Sequence, residues 1–263
     1  MPPTRIAIHG AAGRMGQRLV ALTAADKDLE LAAALDWAEH PRIAEDAGLL
    51  AGAGPLGVKI AAELDAEVDV VVDFSLPEAI DRLFDLCVER KLPLVTATTG
   101  LSEAQVERRD AIAREIPVLW APNMSLAVNL GMKLSGVAAA ALADKDADVE
   151  ILERHHRFKE DSPSGTALKF GEIIAAAMGQ TRAVHGRHGR PGARPHDEIG
   201  YHAIRVGDNP GEHTIVFAML GEMLEITVRA TNRDSYALGG LAAAKFLAGK
   251  PPGAYSISDV LGL

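Results

Sequence analysis

The sequence predicts an α/β protein with two domains: an N-terminal Rossmann-like, doubly wound parallel sheet and a C-terminal α+β domain with an open mixed or antiparallel sheet. In the first half, short apolar strands alternate with helical patterns. In the second half, three strand-like runs follow one another across short turns. We expect the first domain to comprise residues 1–126 with 235–263, and the second to comprise residues 127–234.

The composition is that of an ordinary globular protein. The chain has 263 residues, of which 48% are hydrophobic and 24% charged, and its formal net charge is -9. That charge argues against a general nucleic-acid partner. Cys87 is the single cysteine, so no disulfide forms within the chain. No apolar run approaches the roughly 20 residues of a membrane helix, and no signal-peptide pattern is visible. We therefore expect a cytoplasmic protein with no membrane partner.

The first strand, Arg5 to His9, leads into the turn G-A-A-G-R-M-G, and a helical pattern follows it. A second strand, about Leu29 to Leu35, ends at Asp36. Strand, glycine turn, helix, strand and acidic residue is the order of a dinucleotide-binding unit. Asp36 can accept hydrogen bonds from a ribose diol. The spacing G-x-x-G-x-x-G departs from the usual fingerprint, and a glycine-rich turn without a ligand is the alternative.

Each glycine of this turn has a separate predicted role. Gly10 permits the tight turn, Gly13 lets the backbone approach a pyrophosphate, and Gly16 lets the helix pack closely.

Alternation continues through the rest of the first half. The predicted elements are a buried strand Glu67 to Phe74, a helix from Pro77 to about Arg90 with Ser75 as N-cap, a strand Leu92 to Thr96, a helix Glu103 to Glu115 and a strand Val118 to Ala121. Ligands of doubly wound sheets bind beyond the carboxyl ends of the strands. The candidate cofactor loops are therefore Phe74 with Ser75, then Ala97, Thr98 and Thr99, then Ala121, Pro122, Asn123 and Met124. From position alone, ordinary turns are equally expected there.

The second half is organised differently. Its predicted elements are helices at Leu126 to Leu142, Ser164 to Met178 and Tyr236 to Ala248, and strands at Val149 to Arg154, Ile199 to Val206, His213 to Met219 and Met223 to Ala230. The last three strands are expected to pair antiparallel, because short turns containing glycine or proline separate them.

The segment Gln180 to His196 is rich in glycine, proline and arginine and is predicted to have no regular structure. A solvated, mobile connection is the favoured interpretation, and a subunit contact or guidance of an anion is the alternative. Its histidines, His185, His188 and His196, lack a zinc spacing with thiol or carboxylate partners, so we expect no metal site.

The most informative segment is E-R-H-H-R-F-K-E-D-S-P-S-G-T-A, Glu153 to Ala167. Histidine exchanges protons near neutral pH, and Lys159 carries a cation nearby. The Ser-Gly-Thr step at the start of a helix offers hydroxyls and N–H groups that bind anions. His155 and His156 point to opposite faces if the strand stays regular. The chemistry favours an enzyme acting on a small acidic substrate over two structural histidines.

These motifs resemble those of the 4-hydroxy-tetrahydrodipicolinate reductase family, also called the dihydrodipicolinate reductases. The matching stretches are G-A-A-G-R-M-G, V-D-F-S-x-P-E-A, T-T-G, A-P-N-M-S, H-H-x-x-K-x-D-x-P-S-G-T-A and A-I-R-V-G-D-N-P-G-E-H-T. They run from Ile6 to about Tyr236. The resemblance implies NAD(P)H-dependent reduction of a cyclic dicarboxylate in the diaminopimelate and lysine pathway, and a homotetramer whose second domain carries substrate binding and assembly.

The resemblance also implies residue roles. His155 corresponds to the general acid/base and Lys159 to the proton-donating or assisting cation. The substrate-binding positions are His156, Ser164, Gly165 and Thr166. Asp36 corresponds to the contact with the adenosine ribose, and the loops at Ala97 to Thr99 and Ala121 to Met124 correspond to those near the nicotinamide. The residues that correspond to the pyrophosphate turn are Gly10, Ala11, Ala12, Gly13, Arg14 and Met15.

Two positions depart from the family pattern. Some relatives carry Arg after the acidic residue, where this chain has Trp37. Asp36 would repel a 2′-phosphate that Trp37 cannot neutralise, so NADH is the expected cofactor and acceptance of NADPH stays open. Ala97 replaces a glycine that relatives often have, and no loss of activity is expected from the added methyl group.

Two rival functions remain. A semialdehyde dehydrogenase would need a thiol nucleophile, but Cys87 lies inside a predicted helix, where it is more consistent with packing. A nucleotide-sensing regulator would need a partner surface, and the sequence contains no helix-turn-helix pattern or basic stripe.

Overall fold

The computed structural model describes residues 2–263, which divide into two compact units. The first unit comprises the residues up to Leu126 together with Asp234–Leu263, and the second comprises Ala127–Arg233. Each unit has its own sheet and its own apolar core. No helix of residues 2–263 combines the length and the apolar character needed to cross a bilayer.

The first unit is a seven-stranded parallel sheet with helices. Its strands are β1 (Thr4–His9), β2 (Leu29–Leu35), β3 (Ile60–Ala61), β4 (Val70–Asp73), β5 (Leu94–Thr96), β6 (Pro117–Trp120) and β12 (Gly253–Tyr255). Its helices are α1 (Arg14–Ala25), α2 (Ala47–Leu50), α3 (Pro77–Glu89), α4 (Glu103–Ile112), α7 (Asp234–Leu247) and α8 (Ile257–Leu261).

The strand order of this sheet is β12-β6-β5-β4-β1-β2-β3, and every pairing is parallel. From β1 the chain winds outward through β2 and β3, then crosses to β4 on the other side of β1. The order therefore reverses between β1 and β4, which is the position where such sheets bind ligands. The predicted doubly wound sheet is confirmed.

The helix α3 corrects one prediction. It begins at Pro77, but its N-cap residue is Leu76 and not Ser75, and no side chain caps it. A proline at the first helical position has no N–H to cap, and it holds the preceding residue extended. Leu76 has φ -120° and ψ 156°. The backbone N–H of Ser75 instead donates to Asp73.

Four short elements of the first unit, α2, β3, β12 and α8, were not predicted. Each is two to five residues long. Periodicity is the main signal in a sequence, and segments this short contain too few residues to express it. β3 and β12 exist through pairing with β2 and β6, which is a tertiary interaction.

The second unit is a five-stranded mixed sheet with two helices. Its helices are α5 (Leu126–Leu142) and α6 (Gly165–Met178), and its strands are β7 (Asp148–His155), β8 (Arg182–His185), β9 (Glu198–Arg205), β10 (Glu212–Met219) and β11 (Glu222–Arg229). The strand order is β11-β10-β7-β9-β8. The mixed sheet predicted for this half is confirmed.

The pairing of β9 was predicted wrongly. β10 and β11 form the expected antiparallel pair, but β9 lies parallel to β7, and β10 lies on the other side of β7. β7 carries buried apolar residues at Val149 and Ile151 and occupies the centre of the sheet. Alternation shows that a segment is a strand, but it does not identify the strand's neighbour.

The segment between α6 and β9 also differs from expectation. It contains β8, which pairs parallel with β9. Beyond β8, Arg187 bridges Glu150 and Glu198, and Arg194 contacts Asp148 and Glu150. Arg187 and Arg194 thus bind carboxylates of the same unit, which weakens the interpretation of the segment as a mobile connection or a guide for anions.

Candidate active site

A cavity of about 940 Å³ opens at the switch point of the first unit's sheet. Its volume is at the upper end of the range for small-molecule and cofactor sites. Six predicted cofactor residues line it: Gly10, Gly13, Arg14, Met15, Asp36 and Phe74. The structure therefore brings the glycine turn, the acidic residue after β2 and the loop after β4 to one cavity.

The glycines of the turn meet three different steric demands. Gly10 has φ +78°, a conformation that other residues rarely adopt. Gly13 is the N-cap of α1, and no side chain caps this helix. The first turn of α1 thus presents N–H groups and a favourable dipole to an anion. At Gly16, an added Cβ would lie 2.0 Å from the carbonyl oxygen of Gly10. The helix therefore approaches the turn too closely for any side chain.

Asp36 is bound to the glycine turn. One carboxylate oxygen accepts from the backbone N–H of Ala12 at 2.9 Å, and the other accepts from that of Trp37 at 3.0 Å. Each oxygen keeps a second lone pair. Asp36 can therefore fix the shape of the turn and still accept a hydrogen bond from a ribose hydroxyl.

The remaining predicted cofactor residues do not line this cavity. Ala11 and Ala12 are buried in the core beneath the turn. Ala97, Thr98 and Thr99 follow β5, and Ala121, Pro122, Asn123 and Met124 follow β6, at the carboxyl edge of the same sheet. Within these loops the side chains of Thr98, Ala121 and Met124 are buried.

Thr98 belongs to a buried polar cluster around Asp73 that was not predicted. The fully buried Asp73 carboxylate accepts from His9 Nδ1 at 2.8 Å, Thr96 Oγ1 at 2.6 Å and Thr98 Oγ1 at 2.7 Å. Burial would raise the pKa of Asp73, but the hydrogen bond and charge of His9 outweigh it and hold that pKa below its usual value. Because His9 also lines the cavity, this cluster joins three strand ends beneath the cofactor turn.

In the second unit, β7 ends in a buried pair of acid and base. Glu153 and His155 lie on the same inward face of the strand, since side chains two residues apart share a face. His155 Nδ1 lies 2.7 Å from Glu153 Oε2. Burial lowers the pKa of His155, Glu153 opposes that effect, and the charges of Lys159 and Arg205 add to it. His155 therefore binds its proton weakly, which suits a group that must release a proton.

The strand ends at His155, so His156 is not constrained to the opposite face. The backbone turns there, with Lys159 N donating to His156 O at 3.1 Å. His156 Nδ1 is shielded from solvent and has no hydrogen-bond partner within residues 2–263. The Lys159 ammonium lies 2.7 and 2.9 Å from the two carboxylate oxygens of Asp161. An unsatisfied imidazole nitrogen and a cation therefore lie on one short loop.

The loop ends at the N-terminus of α6, where Ser164 is the N-cap. Its hydroxyl accepts from Ala167 N at 3.1 Å and contacts His213 Nε2 at 3.0 Å. A Cβ built on Gly165 would have nothing within 4 Å. The helix start is thus well ordered by its cap and open in front of Gly165, as a cradle for a carboxylate needs to be.

His213 completes the cluster. It is buried on β10, and its ring lies edge-on to that of His155 with the centroids 5.3 Å apart. Burial, together with the nearby His155, lowers the pKa of His213 to about 4. His213 is therefore neutral at physiological pH and serves the Ser164 hydroxyl as a hydrogen-bond partner.

This lowered pKa predicts an acid-dependent loss of stability. An unfolded histidine titrates near pH 6.5. Between about pH 6.5 and 4, His213 is therefore protonated in the unfolded chain but neutral in the native chain. The free energy of unfolding should fall by up to about 3 kcal/mol as the pH drops from about 6.5 to 4. His213→Asn should remove this part of the pH dependence in urea unfolding, whereas His188→Asn, at an exposed loop position, should keep it. Identical pH dependence in all three proteins would contradict the prediction.

Three residues of this cluster were not predicted as functional: Glu153, Arg205 and His213. Glu153 could have been found, because it lies two residues before His155 on a predicted strand. Arg205 faces His155 only through the parallel pairing of β9 with β7. His213 reaches Ser164 only because β10 flanks β7. No three His, Cys, Asp or Glu side chains within residues 2–263 form a group suited to hold a metal ion.

A doubly wound sheet with a glycine turn at its switch point, followed by a second unit with a proton-exchanging cluster, defines the class of two-domain pyridine-nucleotide oxidoreductases. Family models describe the class more closely. Residues 4–124 match the dihydrodipicolinate reductase N-terminus, and residues 127–261 match the dihydrodipicolinate reductase C-terminus. The chain belongs to the dihydrodipicolinate reductase family.

Similar proteins agree with this assignment. A 4-hydroxy-tetrahydrodipicolinate reductase of Rhodopirellula baltica is 57% identical over 99% of this chain and 97% of its own length. The corresponding reductase of Alkalilimnicola ehrlichii is 48% identical over 99% of each chain. A dipicolinate-bound dihydrodipicolinate reductase of Paenisporosarcina sp. TG-14 has 25% identity and a TM-score of 0.78, and the match covers 97% of each chain.

Proposed function

We propose that the two sites have separate roles in the family's reaction, one in nucleotide binding and the other in substrate binding and proton transfer. That reaction, the reduction of 4-hydroxy-tetrahydrodipicolinate with NAD(P)H in the lysine and diaminopimelate pathway, is the activity of the chain. The cavity at the Gly10 turn binds the nucleotide, and the cluster at His155 binds the cyclic dicarboxylate. One observation carries the second assignment: His155 Nδ1 and Ser164 N both bond to Glu153, so a proton-exchanging imidazole lies beside an anion-binding helix start.

The second unit is suited to bind the two carboxylates of the substrate. The N–H groups of Gly165 and Thr166 at the start of α6 receive one carboxylate, and Ser164 shapes this cradle through its cap. The unsatisfied nitrogen of His156 and the ammonium of Lys159 serve the other carboxylate. For this, Lys159 must exchange its exposed partner Asp161 for the substrate, a small cost for a surface ion pair.

His155 delivers the proton. Since Nδ1 bonds to Glu153, Nε2 is the nitrogen that exchanges a proton with the substrate. A Cβ on Gly211 would lie 3.0 Å from Nε2, so a side chain at position 211 would crowd this nitrogen. A bound dianion raises the pKa of a neighbouring imidazole. His155 is therefore protonated when the substrate is bound. Bound NADH supplies the hydride.

The activity assay that tests this proposal follows NADH consumption with freshly generated pathway intermediate. We expect saturable oxidation that depends on both substrates, and a loss of turnover in the Lys159→Ala variant with the NADH dissociation constant unchanged. No NADH oxidation by the folded, NADH-binding protein would refute the proposal and would favour a nucleotide-sensing protein.

NADH is the proposed preferred cofactor. Asp36 lies where the adenosine ribose binds in this fold and would repel a 2′-phosphate, and Trp37 offers no cation to offset it. We expect kcat/KM for NADH to exceed that for NADPH by about tenfold or more, which corresponds to about 1.4 kcal/mol. Trp37→Arg should raise kcat/KM for NADPH, and Trp37→Phe should not. Since Trp37 is 55% exposed, neither change should disturb the fold. A clear NADPH preference of the wild type would refute this proposal.

The dehydrogenase rival that needs a thiol is not supported by Cys87. This residue is fully buried in α3, and burial raises the pKa of its thiol far above physiological pH. A buried, protonated thiol is a poor nucleophile. Full activity after exposure of the native protein to an alkylating reagent is the expected result.

We also propose a cytoplasmic homotetramer. The family assignment supports it, and so does the edge strand β11, where Met223 and Leu224 are exposed. An open sheet edge with apolar side chains favours association between copies. Light scattering after size exclusion should give a mass about four times that of the 27.8 kDa chain.

A further inference from the structure

Glu153 is a buried carboxylate on the inward face of β7. Its side chain is 1% exposed and follows Val149 and Ile151 on the inward face of β7, where an apolar residue is expected. Burying a carboxylate costs several kcal/mol unless it is paired and hydrogen-bonded. Burial opposes ionisation of Glu153, but its bonds to Arg205 and His155 outweigh this and keep its pKa below the usual value. The group is therefore held as an anion.

The hydrogen bonds of Glu153 use its full accepting capacity. Oε2 accepts from Arg205 at 2.7 Å and from His155 Nδ1 at 2.7 Å. Oε1 accepts from Arg205 at 2.8 Å and from Ser164 N at 3.0 Å. A carboxylate has about four lone-pair positions, and all four are occupied here. Glu153 thus has no acceptor position left for a substrate, and any effect on the reaction acts through its partners.

A simple ion pair that joins two strands does not account for these contacts. β7 and β9 already pair along their length, from Val149 opposite Ile199 to His155 opposite Arg205. The side-chain network reaches beyond the sheet. Arg205 also donates to the backbone carbonyl of Asp161 at 2.7 Å. The loop that carries His156 and Lys159 is thus held at its beginning, its middle and its end by one acid and one arginine.

We propose that Glu153, clamped by Arg205, is a positioning residue that sets the tautomer and orientation of His155 and ties it to the carboxylate cradle at Ser164. The inference rests on the function proposed above and adds a residue to it. A carboxylate acceptor at Nδ1 places the hydrogen on that nitrogen. In the neutral ring Nε2 then carries the lone pair, and it is the nitrogen that gains and gives the transferred proton.

The same arrangement predicts a change in pH dependence. The charged and titratable groups that face His155 are Glu153 on β7, Lys159 on the loop, Arg205 on β9 and His213 on β10. Replacing Glu153 by Gln removes the group that raises the pKa of His155, while Lys159 and Arg205 continue to lower it. Because the protonated ring is the donor, activity should then be lost at a lower pH.

The test compares Glu153→Gln with Glu150→Gln in the full-length protein. Glu150 lies on the same strand, is bridged by arginines and bonds to a histidine, His202, but has no bond to the His155 cluster. For Glu153→Gln we expect kcat to fall about 10- to 100-fold, the basic limb of the pH profile to shift to lower pH, and KM for NADH to stay unchanged. The Glu150→Gln variant should have the same pH profile as wild type.

A spectroscopic measurement separates positioning from folding. Nitrogen-15 NMR of the histidine rings reports which nitrogen carries the hydrogen. Wild-type His155 should show a protonated Nδ1, and Glu153→Gln should shift toward a mixture of tautomers. Arg205→Lys keeps the charge but loses the bidentate contact with Glu153, so it should cause a smaller shift in the same direction. This variant provides the comparison if Glu153→Gln fails to fold.

The outcomes distinguish two failures. If His155→Gln retains wild-type turnover, the proposed function fails and the positioning role fails with it. If His155→Gln is impaired while Glu153→Gln keeps the pH profile and the tautomer of wild type, the positioning role alone is overturned.

Discussion

His155→Gln is expected to lower kcat by about two to four orders of magnitude, the usual contribution of a placed proton donor, and to leave the NADH dissociation constant unchanged. Glutamine keeps an N–H that can donate to Glu153, so the buried carboxylate stays satisfied, but its amide exchanges no proton at neutral pH. The nucleotide cavity is formed by residues of the first unit alone, and His155 lies in the second.

The matched control is His202→Gln. His202 also bonds to a glutamate of β7, at 2.7 Å, but its partner is Glu150. We expect near-normal turnover for this variant, measured by NADH oxidation, with NADH affinity followed by fluorescence titration. Equal turnover of His155→Gln and wild type would remove His155 from the mechanism.

The second large effect concerns two glycines that lie three residues apart. Gly16→Ala should destabilise the first unit by about 3 kcal/mol, at the upper end of overpacking costs, because its Cβ would lie 2.0 Å from a backbone oxygen of the turn. Backbone atoms cannot move aside as a flexible side chain can. NADH binding should be lost together with the shape of the turn. Thermal unfolding with and without NADH measures both effects.

Gly13→Ala is the contrasting variant. Its Cβ would lie 3.2 Å from Gly10 O, and its φ of -69° suits alanine. The free energy of unfolding should therefore change by less than about 1 kcal/mol, in the range of modest overpacking. The NADH dissociation constant should rise about tenfold or more, because the methyl group stands where the pyrophosphate approaches the backbone. Unchanged affinity in a stable Gly13→Ala protein would contradict the assigned binding mode.

The structure explains why the two sites have different characters. The proposed nucleotide site is made mainly from backbone: a turn, an uncapped helix start and strand ends, all of which a local sequence motif encodes. The proposed proton-transfer site is made from side chains of three strands, a loop and a helix start. A bound dianion needs charge-assisted hydrogen bonds from several directions, and only a folded sheet supplies them together.

Local features were therefore readable from the sequence. The β2 strand and the α5 helix have the predicted bounds, and the parallel and mixed sheets follow from alternation and turn spacing. The Ser-Gly-Thr step predicted the start of α6, because N-capping depends on neighbouring residues only. Long, periodic segments carry this information in every residue.

The amino-acid pattern alone predicts the class of each domain, the glycine turn and the segment that carries the histidines, since each depends on interactions within a few residues. The arrangement of β9 beside β7, with β10 on the other side of β7, is seen only in the folded sheet. That pairing brings Arg205 to Glu153 and His213 to Ser164. Strand neighbours depend on packing across the whole sheet, and no local pattern contains that information.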